Sequence, residues 1–414
     1  MKILVVTQYF WPESFIINDL VKILSAQGHE VVVATGKPNY PDGCVFQGYQ
    51  ASGLQQEIFC GGVEVVRVPL RPRGAGGARN LLLNYASFVL SGLWYFPKLL
   101  KGRKFESILM FAPSPITSAI PAIFLKWRKK SHLAIWVQDL WPDSLSATGF
   151  LHHSWLLKMV GWLVQCIYAC ADTVLIQSKA FQVPVTRYAS ADKVIYYPNS
   201  FDMAQMSGDG EDAIPDNLAN LLESHFCLVF AGNIGKGQAI ETLVEAAAYL
   251  KDLPDFRLVL VGSGSMLGWV RERQVAEGLD NMVLPGRFPM DVMSQIYRRA
   301  AGLVVTLKNE EIFTYTIPSK VQAYLAAGKP IIAALNGEGA RVVSEASAGL
   351  ICPAEDAKAL ACTVRTLYAM TAIERDRMGA AGRAYFLAHF EMHRQAQRLV
   401  EIFEQRITPI GGKI

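Results

Sequence analysis

The stretch FCLVFAGNIGKGQAIETLVEAA, residues 226–247, predicts the architecture of the chain. Its apolar run from Cys227 to Ala231 is typical of a buried strand, and a glycine-rich turn follows it. From Ile240 onward the apolar residues recur every three or four positions, which predicts a helix with one apolar face. Strand, turn and helix in this order form the repeating unit of parallel sheets covered by helices.

The turn within this stretch is a candidate phosphate site. Such a turn leaves backbone N–H groups unpaired at the positive end of the helix, where an anion is the natural ligand. Lys236 adds a positive charge, and Asn233 adds a hydrogen-bond donor and an acceptor. The GxxxxGK[ST] spacing of ATP-binding loops is absent, so the turn predicts phosphate binding without ATP hydrolysis. An ordinary strand-to-helix loop is the alternative.

The composition allows two domains and a large core. The chain has 414 residues, of which 51% are hydrophobic and 18% are charged, with a formal net charge of +4. The charge is uneven, because residues 1–200 carry 19 Lys and Arg against 11 Asp and Glu, whereas residues 201–414 carry 21 against 25. The basic first half predicts an anionic partner: a lipid surface, a phosphorylated lipid or nucleic acid.

The distribution of cysteines and apolar segments predicts a cytoplasmic protein without a metal site. The 7 cysteines form no CxxC pair and no Cys/His cluster with zinc spacing. The opening MKILVVTQYF is too short for a signal peptide and is typical of a buried first strand. No stretch reaches the roughly 20 uninterrupted apolar residues of a membrane-spanning helix.

Two domains are predicted, with the boundary at residues 201/202. Residues 1–201 begin with a strand, a helix and a second strand, which indicates a parallel sheet. Residues 202–225 are polar and contain Gly and Pro, so they are predicted to be the linker. Residues 202–390 form the second α/β domain, and the final helix, 391–414, is expected to pack back on the first domain.

Loops at the carboxyl ends of parallel strands line ligand clefts, and this places several candidate residues in the first domain. Glu13 follows the first strand. Asn39 lies in the loop 37–43, which is predicted to be a turn-rich surface loop. Asp139, Trp141 and Asp143 follow a buried strand and make a plausible polar site.

Residues 81–97, LLLNYASFVLSGLWYFP, are uncharged and have basic residues on both sides. A buried core helix is one interpretation. The other is a helix that lies in a membrane surface, with Trp94 and Tyr95 at the level of the headgroups and the flanking lysines on anionic lipid. The basic cluster 126–130 is interpreted as a solvated helix end and not as a nucleic-acid site.

Motifs across nearly the whole chain resemble those of the retaining GT-B glycosyltransferases of family four. In the second half these are GNIGKGQ (232–238), VGSG (261–264), LPGR (284–287) and IPSKVQAYLAAGKPI (317–331). In the first half they are YFWPE (9–13), PNYPDG (38–43), VQDLWPDS (137–144) and PNSFD (198–202). The first-half motifs resemble the bacterial surface-polysaccharide branch, which includes colanic-acid, O-antigen and N-acetyl-L-fucosamine transferases.

The resemblance implies an α/β fold of GT-B architecture, with two Rossmann-like domains that face a central crevice. It also implies a UDP-linked sugar held by the second domain, no cofactor and no metal. The donor-binding residues that it indicates are Gly232, Asn233, Lys236, Gly262, Arg287, Thr316, Ser319, Lys320 and Gln322. The acceptor side would include Glu13, Asn39, Trp141 and Asp143.

One departure from the family concerns its pair of glutamates, eight residues apart, that contact the donor sugar and the ribose. Their positions correspond to Tyr315 and Ala323, and neither residue is acidic. Gln322, or Glu310 and Glu311, are candidates to replace them. The pyrophosphate argument is unaffected.

The chemistry that the resemblance implies depends on charge. Cleavage of the anomeric C–O bond leaves negative charge on the diphosphate, so a fixed positive field there is the useful catalyst. Lys236, the helix N-terminus and Lys320 would supply that field, and Asp139 would orient the acceptor hydroxyl or take up its proton. Lys236 and Asp139 are therefore the candidate catalytic residues.

The function that this resemblance implies is transfer of a sugar from a UDP-sugar to a membrane lipid-diphosphate-linked saccharide in O-antigen, capsule or exopolysaccharide synthesis. The sugar would be an N-acetylated or deoxy hexosamine, and the enzyme would bind the inner face of an anionic membrane peripherally, without nucleic acid. The alternatives are a catalytically inactive GT-B scaffold subunit, a GT-B epimerase and a nucleotide-dependent oxidoreductase. The last lacks the GxGxxG fingerprint at the first βα turn.

Overall fold

A computed structural model describes residues 1–147, 153–206 and 214–407, which divide into two units. The first unit contains Met1–Asn199 and the C-terminal segment from Met392, and the second contains Ser200–Glu391. The first boundary therefore lies two residues before the expected one. Residues 207–213 of the predicted linker and residues 408–414 of the predicted last helix lie outside the described residues.

The described part of the first unit has a single eight-stranded sheet in the order β3-β4-β2-β1-β5-β6-β7-β8, parallel except for β3. Its strands are β1 (Lys2–Val6), β2 (Glu30–Thr35), β3 (Gln55–Phe59), β4 (Val63–Arg67), β5 (Ser107–Ala112), β6 (His132–Val137), β7 (Thr173–Ile176) and β8 (Val194–Tyr196). Its helices up to residue 186 are α1 (Ile16–Ala26), α2 (Ala78–Leu99), α3 (Ile120–Lys129), α4 (Asp143–Ala147), α5 (Ser154–Cys170) and α6 (Gln182–Thr186).

The described part of the second unit has a six-stranded parallel sheet in the order β11-β10-β9-β12-β13-β14. Its strands are β9 (Phe226–Asn233), β10 (Phe256–Ser263), β11 (Met282–Gly286), β12 (Gly302–Thr306), β13 (Ile331–Ala334) and β14 (Gly349–Cys352). Its helices are α7 (Asp216–Ser224), α8 (Ile240–Ala248), α9 (Leu267–Ala276), α10 (Met293–Arg299), α11 (Glu311–Thr314), α12 (Ser319–Ala327), α13 (Glu338–Glu345), α14 (Ala357–Ala369) and α15 (Ala372–His389).

The central strands are apolar on both faces because helices cover both faces of each sheet. In β1, Ile3 and Val5 pack into the same core cluster as Leu20 of α1. In the second unit one core cluster includes residues of α8 and α14, and another includes residues of α10 and α12. The predicted fold class, α/β with two Rossmann-like domains, is confirmed.

The last helix, α16 (Met392–Ile407), belongs to the first unit. Its residues Ala396, Leu399 and Phe403 lie in the core cluster that also contains α1 and β1. A hydrogen bond from the Tyr197 hydroxyl to the carbonyl of Gln395, 3.0 Å long, joins it to the end of the sheet. The chain therefore returns to its first unit after completing the second.

Each sheet reverses its strand order next to its first strand. In the first sheet the chain runs outward from β1 to β2 and then resumes at β5 on the other side, and in the second it does the same around β9. Ligands of open α/β sheets bind at such switch points, outside the carboxyl ends of the strands. The loops after β1 and β9 therefore lie where a site is expected.

The interpretation of 37–43 as a surface loop is wrong for its first half, because Lys37, Pro38 and Asn39 are buried.

The sequence did not predict the strands β3 and β14. β3 alternates half-buried and exposed residues at the edge of its sheet, which gives it a weaker apolar signal than the central strands.

Candidate active site

A cavity of about 680 Å³ opens in the second unit at the carboxyl ends of β9 and β10. The residues that line it come from the ends of these strands, from the segment after β11 and from the start of α12. Among the predicted donor-binding residues, those that line it are Gly232, Asn233, Gly262, Arg287, Ser319 and Lys320. Lining residues from Phe201 to Ala323, 122 positions apart in the sequence, thus meet at one place.

Glycines at the strand ends allow the backbones to approach closely. Gly262 has φ +146°, and a Cβ there would lie 1.9 Å from the carbonyl oxygen of Gly232. A Cβ at Gly264 would lie 2.3 Å from the carbonyl oxygen of Ile234. No side chain fits at Gly262, which lines the cavity, so the backbone is bare there and permits close approach of a ligand.

Lys320 is the cation that extends along this floor. Its Nζ donates a hydrogen bond of 2.5 Å to Oε1 of Gln238 and lies 3.7 Å from the centre of the Phe230 ring. Burial lowers the pKa of Lys320 to about 7. Both of these partners are uncharged, so an anion in the cavity would stabilise the ammonium form.

The N-terminus of α12 also faces the cavity. Its first two residues, Ser319 and Lys320, line the wall, and no side chain caps the helix. The first backbone N–H groups of a helix lack intrahelical partners and carry partial positive charge. The Tyr324 hydroxyl accepts a hydrogen bond of 2.9 Å from the N–H of Ala231, which holds α12 against β9.

The far wall of the cavity is apolar and aromatic. It consists of Phe288, Met290, Met293 and Tyr297, with the exposed Arg287 beside them. Gly286, the last residue of β11, has φ +95°, a left-handed conformation that favours glycine, and it turns the chain before Arg287. A flat ring with polar edges would fit between the apolar wall and the arginine.

Three predicted donor-binding residues, Lys236, Thr316 and Gln322, are outside the lining of this cavity. Lys236 is exposed at the start of a 3-10 turn, and Gln238 at the end of that turn lines the cavity instead. Gln322 is buried in the core, because the 100° rotation per helical residue turns Ala323 toward the cavity in its place. Gln322 thus lies outside the lining of this cavity, and its replacement of the family glutamate that corresponds to Ala323 stays a prediction.

Sequence reasoning missed Gln238, Ser263 and Phe288 as lining residues. Gln238 follows the predicted turn by one residue, and Ser263 lies inside the VGSG motif, so position in the motif was the available signal. The other predicted replacements, Glu310 and Glu311, do not line the cavity. Glu311 accepts a hydrogen bond of 2.9 Å from the Tyr315 hydroxyl.

In the first unit, Glu13 and Asn39 anchor loops. The two carboxylate oxygens of Glu13 accept hydrogen bonds from the backbone N–H groups of Asn39 and Tyr40, both 2.8 Å, and of Phe10, 3.0 Å. Burial raises the pKa of Glu13 to about 7, although these N–H groups and Arg67 oppose that rise. The carboxylate thus joins the loop after β1 to the loop after β2.

Asn39 continues this network. Its side-chain oxygen accepts hydrogen bonds from the N–H of Arg73, 3.1 Å, and from Nδ2 of Asn84, 3.3 Å, while its own Nδ2 donates to the carbonyl of Lys37, 3.0 Å. The side chain is fully buried. Its contacts in the structure hold the loops after β2 and β4 and the helix α2 together.

Asp139 and Trp141 lie after β6 and contact each other. Trp141 Nε1 donates a hydrogen bond of 3.2 Å to Asp139, which is half-buried. Burial raises the pKa of Asp139, while hydrogen bonds from Ser144 and Trp141 act in the opposite direction. Asp143 is exposed at the first position of α4. A carboxylate with a raised pKa at a strand end suits proton transfer.

The described residues contain neither a cluster of metal-ligating side chains nor a helix that could cross a membrane. Within residues 1–147, 153–206 and 214–407, no group of three or more His, Cys, Asp or Glu side chains could hold a metal ion. In the same three segments, every helix is too short or too polar to cross a bilayer.

Comparison with known proteins defines the class. Residues 15–200 match the family described as "Glycosyl transferase 4-like domain", and residues 225–370 match "Glycosyl transferases group 1". The chain is thus a glycosyltransferase of the group 1 and type 4 class, with one such domain in each unit.

The chain is similar to individual proteins in sequence and in structure. A protein of Escherichia coli K12 named as a colanic acid biosynthesis glycosyl transferase, WcaI, is 26% identical over 349 residues, which are 79% of this chain and 82% of that protein. HepE of Anabaena in complex with UDP is 14% identical, with a TM-score of 0.66 over 98% of this chain and 100% of HepE.

A third comparison is with a trehalose-6-phosphate synthase, solved in a study of bisubstrate glycomimetics and glycosyl transfer with retention. It has a TM-score of 0.70 at 11% identity and covers 97% of this chain and 99% of that one. Structures of this kind are GT-B glycosyltransferases, so the expected GT-B fold is confirmed.

Proposed function

We propose that this chain transfers a sugar, with retention, from a UDP-sugar to a lipid-diphosphate-linked saccharide in bacterial surface-polysaccharide synthesis. The observation that carries the proposal is the cavity of the second unit, where Lys320, the N-terminus of α12 and bare glycine backbone meet. The sugar we propose is an N-acetylated or deoxy hexosamine such as N-acetyl-L-fucosamine. The similarity to WcaI supports the polysaccharide context.

The diphosphate of the donor would lie between Lys320 and the α12 N-terminus, above Gly232 and Gly262. All three features favour negative charge without any rearrangement of charge at the moment of reaction. The base would lie against Phe288 with Arg287 at its polar edge. The UDP bound by HepE supports uracil as the base.

The reaction requires stabilisation of the leaving diphosphate. As the anomeric C–O bond breaks, negative charge grows on the phosphate oxygen nearest the sugar. Lys320 as an ammonium, assisted by the helix dipole, would stabilise that charge, and Lys236 would approach from the exposed 3-10 turn. We propose no metal ion and no cofactor in this step. The retention studied in trehalose-6-phosphate synthase supports the same stereochemistry here.

The acceptor would bind to the first unit. Asp139 is its proposed proton acceptor, because its raised pKa keeps it basic enough to take a hydroxyl proton as the new bond forms. Trp141 orients Asp139 through its indole N–H. Glu13 and Asn39 would support the acceptor side by fixing its loops, with Asp143 at the exposed rim.

The membrane part of the proposal rests on α2. The helix buries only Asn84, Phe88, Gly92 and Phe96, a stripe with spacing of four. The opposite side exposes 68% of Leu82, 67% of Leu90 and 61% of Trp94. An apolar stripe beside lysines suits insertion between the headgroups of an anionic bilayer at the inner membrane face.

The test of activity is a panel of UDP-, GDP- and dTDP-sugars, each offered with polyprenyl-diphosphate-linked saccharides, with products identified by mass spectrometry. Product only with UDP-sugars and with the anomeric configuration retained is expected. Inverted product, or free sugar isomerised without transfer, would refute the proposal.

The test of membrane binding is flotation with vesicles. Leu90→Glu with Trp94→Glu should release the protein, whereas Val275→Glu with Ile373→Glu, two exposed apolar positions of the second unit, should leave flotation unchanged. Equal flotation of both double variants would show that α2 does not contact lipid.

A further inference from the structure

A second cavity, of about 790 Å³, lies in the first unit at the amino ends of the strands. The candidate acceptor residues follow the carboxyl ends of the strands. This second cavity is found where β1 and β5 begin and where α2 and α3 end. We name it the basic pocket for its six cationic lining residues, Lys2, Arg103, Lys104, Arg128, Lys129 and Lys130. Glu106 is the acidic residue of the lining.

Some of these cations have structural partners. Arg103 forms two hydrogen bonds with the carboxylate of Glu64, 2.7 and 2.8 Å. Lys129 Nζ donates to the carbonyl oxygens of Leu100 and Arg103, so it closes the end of α2 and also complements the dipole of α3. Arg103 and Lys129 therefore fix the wall of the basic pocket.

The other side of the lining is less neutralised. Lys104, Arg128 and Lys130 are exposed, and none has a carboxylate within 4.0 Å in the part of the chain that the structure describes. Glu106 accepts a hydrogen bond of 2.7 Å from the backbone N–H of Lys2. The pKa of Lys129 is lowered by burial and further by the positive charges of Arg128 and Arg103. The pocket thus has an excess of positive charge.

We propose that the basic pocket binds a phosphate group, and that this phosphate belongs to the headgroup of an anionic lipid. A concave site lined by several cations matches the negative charge and the several acceptor oxygens of a phosphate. Lys104, Arg128 and Lys130 are the groups that would contact it.

The surroundings of the pocket favour a lipid as the source of the phosphate. Trp127, 63% exposed, directly precedes Arg128. Trp94 of α2 has the ammonium of Lys98 4.0 Å from its ring centre, one turn before the pocket. Tryptophan beside lysine is typical of segments at the level of lipid headgroups. This inference rests on the membrane binding proposed for α2 and assigns that membrane its specific anion contact.

The experiment compares two triple variants with the same change in charge. Lys104→Glu, Arg128→Glu and Lys130→Glu alter the basic pocket, whereas Arg271→Glu, Lys358→Glu and Arg377→Glu alter exposed cations of the second unit. Partition onto phosphatidylglycerol vesicles is measured by flotation. Affinity for inorganic pyrophosphate is measured by calorimetry in saturating UDP, which would fill the proposed diphosphate site of the second unit. We expect the pocket variant to bind vesicles at least ~10²-fold more weakly, from the usual contribution of each cation near an anionic surface, and the control to bind like the wild type.

The outcomes separate the two proposals. Loss of vesicle binding in both triple variants would overturn the pocket, because general charge would then explain the attraction. If the Leu90→Glu and Trp94→Glu double variant lost vesicle binding but the pocket variant kept it, the phosphate site would be overturned. The membrane binding proposed for α2 would stand. Pyrophosphate binding that the pocket variant abolishes, without any vesicle binding by the wild type, would overturn the lipid source. Both triple variants should retain transfer to a short soluble acceptor.

Discussion

The proposed donor cavity of the second unit and the proposed acceptor-side loops of the first unit are built in different ways. The donor cavity exposes backbone and a cation whose partners are uncharged. The acceptor-side loops are fixed by a buried carboxylate, Glu13, which accepts three backbone hydrogen bonds. One region offers positive charge to an anion, and the other holds a carboxyl group whose pKa is raised by burial.

This difference shows that the glycine pattern of the second unit indicates the site itself. The buried polar residues of the first unit indicate which loops are held together. Gly232 and Gly262 are at the cavity because no side chain fits there. Asn39 was predicted on the acceptor side from its position after β2. In the structure its side chain hydrogen-bonds to Lys37, Arg73 and Asn84 and so holds segments of the first unit together. Variants of each region should therefore fail in different ways.

The largest effect is expected from Gly262→Ala. The added Cβ would lie 1.9 Å from the Gly232 carbonyl oxygen, and φ of +146° is strained for alanine. We expect UDP binding to be abolished and the free energy of unfolding to fall by about 2–5 kcal/mol from strain and overpacking. Calorimetric titration with UDP and chemical denaturation measure the two effects.

The matched control is Gly268→Ala on α9, where a Cβ meets nothing within 4 Å. It should leave UDP binding unchanged and stabilise the helix by roughly 0.5–1 kcal/mol. If Gly262→Ala bound UDP like this control, the close approach of β9 and β10 would not be what forms the site.

Asp139→Asn should have the next largest effect, this time on turnover alone. The amide oxygen can still accept the hydrogen bond of Trp141 but cannot take up a proton, so the rate should fall by about 10²–10⁴. UDP affinity and melting temperature should stay the same. A stable variant with full activity would leave Asp139 as a turn residue. The first unit would then contribute none of the proposed catalytic residues.

Replacement of the two donor-side lysines sharpens the comparison within the second unit. Lys320→Met should lower kcat/KM by about 10²–10³, because it removes the charge at the cavity floor. Lys236→Met should cost less, since Lys236 is exposed outside the lining. The opposite ranking would assign the phosphate contact to the 3-10 turn, as the sequence alone suggests.

The same lysine gives a pH dependence with a definite sign. With a pKa of about 7, Lys320 is an ammonium below that pH and loses its charge as pH rises. In the wild type kcat/KM should therefore fall toward a tenfold loss per pH unit above pH 7, and Lys320→Met should lack this limb. A pH profile in which both proteins fall alike would assign the limb to another group.

The sequence predicted the architecture because the architecture depends on local patterns. The resemblance to family-four motifs indicated nine donor-binding residues, of which six line the cavity. Apolar runs, glycine turns and helical spacing are visible within windows such as 226–247. The desolvation of Lys320 was not visible, since its hydrogen bond to Gln238 joins residues 82 apart in sequence. The burial of Asn39 likewise depends on Glu13, 26 residues away. Such pairings become apparent only after the sheets are assembled.

The smallest effect is expected for the stability of the first unit, through Glu13. Its pKa rises from 4.5 to about 7 on folding, so the folded state holds the proton more tightly. The stabilisation is complete below pH 4.5 and is lost as pH rises through 7, a change of about 2–4 kcal/mol. Urea denaturation across this range measures the free energy of unfolding of the wild type and of Glu13→Gln. The wild type should gain stability relative to the variant as the pH falls, because the amide does not titrate.

The difference between the two proteins is the informative quantity, because histidines also titrate in this range. His29 and His132 have lowered pKa values, chiefly from burial, and their contribution to stability rises with pH and is common to both proteins. If the two proteins had parallel pH profiles, folding would leave the pKa of Glu13 unchanged, because its three backbone donors and Arg67 would offset its burial. The acceptor-side loops would then resemble the donor cavity after all, as a preformed site for negative charge that Glu13 itself occupies.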